Sequence, residues 1–386
     1  MNTIGIDFQR CSTVVHVREG ERTVAVGDGL RSHIPTAIAE PNLFGSAAML
    51  KECGIRFGDD PTRGEPWPSR DAATEFFRGL RERLRLFLGR VEPSRACGYG
   101  CIVSAEGLTD ARFEASLRDV IRSAGFDNPV LLPATDALFA RWLRSVDRSE
   151  NAKPPRTVVV VAVGDTRAEI VVRSVEADAF GFIRSRVASR TATIKAVGHA
   201  SCQERIMREI DRCLKEPLPT ATRPVLHDAI VEFALRLSSR TSNDGLWNAP
   251  FRDRMYAPPS FTRSDVDVWS EARILRDRLP ATIDEVLLDA GRSRADLLVL
   301  GGWGACWPHV EVAVGDIALI WTSADPTNDV ALGAAWWPML SERHGGTATT
   351  DREPTPGFEP VSSDFDEVPT QPDDLIAPWD RCSISD

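Results

Sequence analysis

Two polar interruptions in apolar sequence hold the residues best suited to chemistry. The first follows Thr3-Ile4-Gly5-Ile6-Asp7 and reads Gln9-Arg10-Cys11-Ser12. The second follows Thr157–Val163 and reads Gly164-Asp165-Thr166-Arg167. Apolar sequence resumes after each, at Thr13–Val17 and at Ile170–Val172, so each is a strand, a tight turn and a returning strand. A turn between two buried strands presents its backbone N–H groups, and such a nest can hold a phosphate. Asp7, Gly164 and Asp165 are therefore candidate cleft residues. Asp7 could instead only complete its own turn by accepting backbone N–H groups. A further candidate set is Gly301-Gly302-Trp303, where the apolar run Asp296–Leu300 stops. An indole there could stack on a planar ligand or plug an empty pocket. Arg10 and Arg167 lie on the two turns. They could bind an anion, or pair with Asp7, Asp165 and Glu169 and hold the two turns together.

The elements that must position these residues are legible in outline. The valine-rich run Thr157–Val163 fits a strand buried on both faces. Two hairpins about 150 residues apart point to a repeated unit and a cleft between two lobes. A helix starts at Asp71, with Phe76, Phe77, Leu80, Leu84 and Leu88 on one face and Gly89 as a stop. Cys101–Val103 reads as a strand. Thr109-Asp110 caps a helix with Phe113, Leu117, Val120 and Ile121 on its buried face and Gly125 at its end. Val130–Leu132 is a strand and Thr135–Leu143 a helix. Further helices are expected over 198–214, 225–237, 265–277 and 282–290. A short strand is expected over 316–321, and an almost wholly apolar, buried helix over 329–337.

The chain has 386 residues, enough for two domains with full cores. Its net charge of −10 is uneven. Residues 341–386 hold eleven acidic residues against three arginines, and so carry −8 of it. The body is close to neutral, and no basic face for nucleic acid is implied. No signal segment or membrane-spanning run is read, so the expected location is the cytoplasm, without a membrane partner. The eight cysteines form no paired C-x-x-C sets and have no histidine at ligand spacing, so reduced core thiols are expected rather than a zinc site.

In this order the pieces resemble the nucleotide-binding domain of DnaK-type heat-shock chaperones, in the actin and sugar-kinase superfamily. The resemblance covers roughly residues 2–340. It rests on Ile4-Gly5-Ile6-Asp7, on the strand–helix unit ending Ser123-Ala124-Gly125-Phe126, on Leu298–Val310 and on Asp325–Ala335. It implies a two-lobed actin-like ATPase fold, two duplicated ribonuclease H-like α/β domains around a central cleft. Residues 1–150 would form the first lobe and 151–310 the second. Residues 311–343 would return to the first lobe as a strand and helix, and 344–386 would be an acidic, proline-rich disordered tail. On this resemblance the family's peptide-binding domain is not expected to follow.

The departures from the family bear on function. Where the family has a Gly-Thr-Thr-Asn turn for the phosphates, Gln9-Arg10-Cys11-Ser12 stands, and bulky side chains obstruct close backbone approach. The family's metal-side aspartate is Ala162, and Asp165 brings a carboxylate where a phosphate would lie. The Glu-Pro-Thr that places a glutamate near the attacking water is Pro133-Ala134-Thr135. No lysine lies between Lys51 and Lys153, where the family's hydrolytic lysine belongs. The adenosine pocket's Lys-Arg pair is Ala234-Leu235, and its Ser-Thr-Arg is Trp303-Gly304-Ala305. Phosphoryl transfer is positioning and charge neutralisation, so these changes together remove the means of catalysing it. The expectation is a protein-binding, chaperone-like or scaffold module without ATP hydrolysis and with no cofactor. The alternatives are a divergent slow ATPase or switch that keeps Mg-ATP, and a sensor of another small anionic ligand. In the tail, Leu375, Ile376 and Trp379 stand among acids in Asp373–Asp380, a pattern suited to folding onto a protein partner.

Overall fold

The computed structural model describes residues 2–27, 33–39, 43–49, 55–57, 67, 69–91, 99–146, 154–177, 183–216, 222–238, 261–315 and 317–344. The tail residues Leu375, Ile376 and Trp379 lie outside the described residues, as does the expected boundary at 150. Contacts group Met1–Gly346 as one unit, apart from Thr347–Asp386.

The first half contains β1 (Asn2–Phe8), β2 (Ser12–Glu19), β3 (Arg22–Ala25), β4 (His33–Pro35), β5 (Ala37–Ala39), β6 (Leu43–Phe44), α1 (Ser46–Met49) and β7 (Ile55–Arg56). It continues with α2 (Arg70–Val91), β8 (Tyr99–Ala105), α3 (Ala111–Ser123), β9 (Val130–Leu131) and α4 (Ala134–Val146). The second half contains β10 (Thr157–Val163), β11 (Arg167–Ala177), β12 (Ile183–Val187), β13 (Ala192–Lys195), α5 (His199–Cys213) and α6 (Arg223–Ser238). Then come α7 (Arg263–Asp267), α8 (Ser270–Asp289), β14 (Leu297–Gly301), α9 (Pro308–Val314), β15 (Leu319–Trp321) and α10 (Asp329–His344).

This mixed α/β chain builds the same sheet twice. The first sheet runs β3-β2-β1-β8-β9 with β4 also on β2; the second runs β12-β11-β10-β14-β15 with β13 also on β11. The directions match strand for strand. β1 is antiparallel to β2 and parallel to β8. β10 is antiparallel to β11 and parallel to β14. Parallel neighbours need a long crossover, and helices supply it in both halves. A small three-stranded sheet, β6-β5-β7, accompanies the first.

Alternation along the strands divides the core. On β10, Val159, Val161 and Val163 pack with α5 to α9. The intervening Val158, Val160 and Ala162 pack with α4 and α10. On β1, Ile4, Ile6 and Phe8 face α2 and α3. Its opposite face meets α10, where a Cβ on Gly5 would strike the Ala331 carbonyl. Thus α4 and α10 form a layer shared by both sheets, with Ile102 of β8 in the same cluster as Leu297 and Val299 of β14. The two helices touch closely at Gly333, where any Cβ would run into the Ala137 carbonyl oxygen. Arg173 of β11 ties this layer to the second sheet. Its Nη2 donates to Asp136 Oδ1 at 2.5 Å, and its guanidinium lies 4.5 Å from the Phe139 ring centroid.

Several boundaries differ from the sequence expectation for identifiable reasons. Asp110 is the N-cap of α3 as expected, accepting from the Arg112 and Phe113 amides. The expected pair of helices over 265–277 and 282–290 is divided elsewhere. A capping box between Thr262 and Asp265 starts α7, and α8 then runs unbroken through Pro280. Neighbouring turns buried through Leu279 and Ile283 hold it together despite the lost N–H. Residues 308–314, for which no element is read from sequence, form α9, with Pro308 at its first position. Among the described residues no helix is long and apolar enough to cross a membrane.

Candidate functional site

The two hairpin turns face each other, and each is capped by a carboxylate from the other half. In the β1–β2 turn, the Cys11 amide donates to Asp165 Oδ2 at 2.7 Å. In the β10–β11 turn, the Thr166 amide donates to Glu106 Oε1 at 2.8 Å and the Thr166 hydroxyl to Glu106 Oε2 at 2.7 Å. The Arg167 amide reaches the same Oε1 at 3.4 Å. A third bond crosses the junction, from the Gly107 amide to Glu169 Oε1 at 2.8 Å. Glu106 lies so close over Gly164 that a Cβ there would collide with its carboxyl group.

These positions follow from register. Asp7 pairs with Ser104 on β8, and two residues further on the chain leaves the sheet at Glu106. Ala162 pairs with Gly301 on β14, and two residues further on stands Trp303. Glu106 and Trp303 therefore occupy the same topological position in the two sheets. Gly302 makes the exit in the second half with φ of +96°, a conformation that favours glycine.

The carboxyl groups at this junction are poorly solvated. Asp7 and Asp165 are fully buried and Glu169 nearly so. Gln9 Nε2 donates to Asp7 Oδ1 at 2.6 Å. Asp7 Oδ2, Asp165 Oδ1 and Glu169 Oε2 have no hydrogen-bond partner among the described residues. Burial pushes Asp7 up to about 7, with the Gln9 bond opposing and Glu106 adding to the shift. Burial likewise raises Asp165 to about 8, helped by the charges of Glu106 and Asp7 and opposed by the Cys11 amide and Arg10. Glu169 rises to about 7 through burial, against the Gly107 amide and Arg167. The Cys11 thiol is driven well above its ordinary value by burial and by Asp165, so it is no nucleophile.

The space left between the turns is small. It is lined by Gln9, Glu106, Gly164, Arg167, Glu169 and Gly302 among others, with about 10 Å³ open to the centre of a water molecule. That is the room of one water and not of a triphosphate. With carboxylates on the turn amides, a bound phosphate would also meet like charge at close range. Among the described residues the turn amides are taken by Asp165 and Glu106. Among the described residues no group of three or more His, Cys, Asp or Glu could hold a metal ion.

Trp303 is 1% exposed and sits on a 3-10 turn, Trp303–Cys306. It packs with Val14 of β2, Val231 of α6 and Ala331 of α10. His33 and His199 meet it edge-on, with ring centroids at 5.3 and 5.6 Å. The His227 ring lies tilted to His33 at 5.6 Å and edge-on to His199 at 6.2 Å, and its Nε2 lies 3.3 Å from Ser12 Oγ. The Trp307 indole donates to His199 Nδ1 at 3.1 Å. An indole N–H only donates, so Nδ1 must accept and His199 is neutral. Burial, with His227 and His33 nearby, holds it well below its ordinary value.

Of the residues singled out from sequence, Asp7, Gly164 and Asp165 meet at the junction. Gly302 lines the space between the turns, whereas Gly301, the last residue of β14, faces Leu138 and Asp329, and Trp303 packs with Val14, Val231 and Ala331. Glu106 and the three histidines carried no sequence signal. Glu106 is an ordinary acid in a loop, and the histidines are 33, 199 and 227 residues into the chain on separate elements. Only the strand register brings them together. Compared with known proteins, the chain matches no family model and no curated sequence.

Proposed function

We propose that this chain is a two-lobed, actin-like body of the kind found in DnaK-type chaperones, that it has lost ATP turnover, and that it works as a protein-binding module. The repeated strand order supports the duplicated fold. The observation that carries the loss of turnover is Glu106, whose carboxylate takes the amides of Thr166 and Arg167, the place a phosphate would need. Ala162 where the family has a metal-side carboxylate, and Trp303 buried beyond Gly301-Gly302, point the same way. Closed on itself, such a body offers its outer surface and its acidic tail to other proteins, in the cytoplasm on this reading.

A thermal melt with and without Mg-ATP tests it. A ligand at one hundred times its dissociation constant stabilises by about 2.7 kcal/mol, a shift of several degrees at this size. No shift at millimolar Mg-ATP and no phosphate release are expected. A clear rise, or measurable turnover, would overturn the reading in favour of a nucleotide switch.

A further inference from the structure

We propose that the junction of the two hairpins is a proton-operated latch, closed while its buried carboxyl groups hold protons and released when they lose them. Four acids from three separated stretches of chain meet there: Asp7 on β1, Glu106 after β8, and Asp165 and Glu169 on the second hairpin. Three of them are buried with one carboxyl oxygen lacking a partner among the described residues. The other oxygens of Asp165 and Glu169, with both of Glu106, make the bonds that cross between the halves. The same groups thus join the halves and repel one another once ionised.

The groups facing this cluster do not neutralise it. From the first hairpin come Gln9, Arg10 and Cys11, and from the second Arg167. Arg10 favours the ionised form of Asp165, and Arg167 that of Glu169. Among the described residues two arginines stand against four acids. Glu106 is the acid common to the other three, since its charge acts on Asp7, Asp165 and Glu169 alike. Protonated neighbours keep that shared repulsion small. As they ionise in low dielectric the repulsion grows, and water can relieve it only if the turns part. The raised values of about 7 to 8 place this release between neutral and mildly alkaline pH.

Hydrogen exchange on the full chain tests the latch without any nucleotide. The readout is protection at the Cys11, Gly107 and Thr166 amides between pH 6 and 9, corrected for intrinsic exchange. Protection should fall at least tenfold at these three amides across the range, while amides in the centre of β10 keep theirs. In a chain carrying Asp165→Asn and Glu169→Gln, which keep an acceptor oxygen but cannot ionise, the fall should be largely abolished. Wild-type protection unchanged from pH 6 to 9 would overturn the proposal, whether or not the variant folds. So would a loss shared equally by β10, or a variant as pH-dependent as the parent.

Discussion

Cys11 and Asp165, 154 residues apart in sequence, are joined by a backbone-to-carboxylate bond of 2.7 Å between the tips of two equivalent hairpins. Each hairpin presents backbone amides, and each receives a carboxyl oxygen from the opposite half. These amides are thus satisfied within the chain.

Global stability should fall as pH rises from about 6.5 to 8.5. Asp7, Asp165 and Glu169 have folded values raised to about 7, 8 and 7, against ordinary carboxyl values near 4. From about pH 4 up to those folded values the unfolded chain has lost these protons while the folded chain still binds them, so the fall begins below neutrality and its last part lies in this range. Stability is then greatest at low pH for these groups and is lost as pH climbs through the folded values. His16, His199 and His309, lowered by burial, act in the opposite sense, but only below their unfolded value near 6.5. Urea midpoints at pH 6.5, 7.5 and 8.5 check this, and a rising series contradicts it.

Trp303→Ala should destabilise by roughly 3–5 kcal/mol, because a fully buried indole leaves a cavity between β2, α6 and α10. Chemical denaturation measures it. A variant as stable as the parent would show that the site collapses without the indole and that Trp303 is no plug.

The hairpins were legible because their strands are buried on both faces and so read as unbroken apolar runs, as β10 does. The α2 and α3 faces were legible because their apolar residues recur at helical spacing over a long window. Pro280 misled because a proline is read as a break, whereas Leu275, Leu279 and Ile283 bury successive turns around it. α9 went unread because its seven residues are too short to show a helical period, although Pro308 stands at its first position. The junction was half legible. Asp7 and Asp165 stand on turns that announce themselves, but Glu106 owes its role to its place two residues beyond a strand partner. That relation exists only once the sheet is paired.

Asp136→Ala should cost about 3–5 kcal/mol, since it strands the buried Arg173 guanidinium against Phe139. Replacing both partners, Asp136→Leu with Arg173→Met, should recover most of that loss. Denaturation of the two variants side by side checks the difference; equal losses would mean that packing, not charge, holds the pair.

Gly333→Ala should destabilise by about 1–3 kcal/mol although alanine is the better helix former. The added Cβ meets a backbone oxygen of α4, which cannot rotate away. A stabilised variant would show that α4 and α10 have room to separate.

Deleting residues 345–386 should leave the melting temperature of the rest nearly unchanged while removing the main protein partner recovered in pull-downs from the native host. Leu375→Ala with Trp379→Ala should reproduce the loss of partner. A truncated chain that keeps every partner would reduce the tail to a spacer.

The shared layer of α4 and α10 sets an order for synthesis. The inner face of the first sheet, around Gly5, is covered by α10, which begins at Asp329. A ribosome adding about 5–20 residues per second needs roughly 10–40 s to pass from the end of α4 to that point. Through this interval the nascent first half carries an uncovered sheet face. The first sheet is covered on that face only when α10 emerges, so a chain arrested or cleaved before residue 329 leaves it bare while α4 still packs on the second sheet.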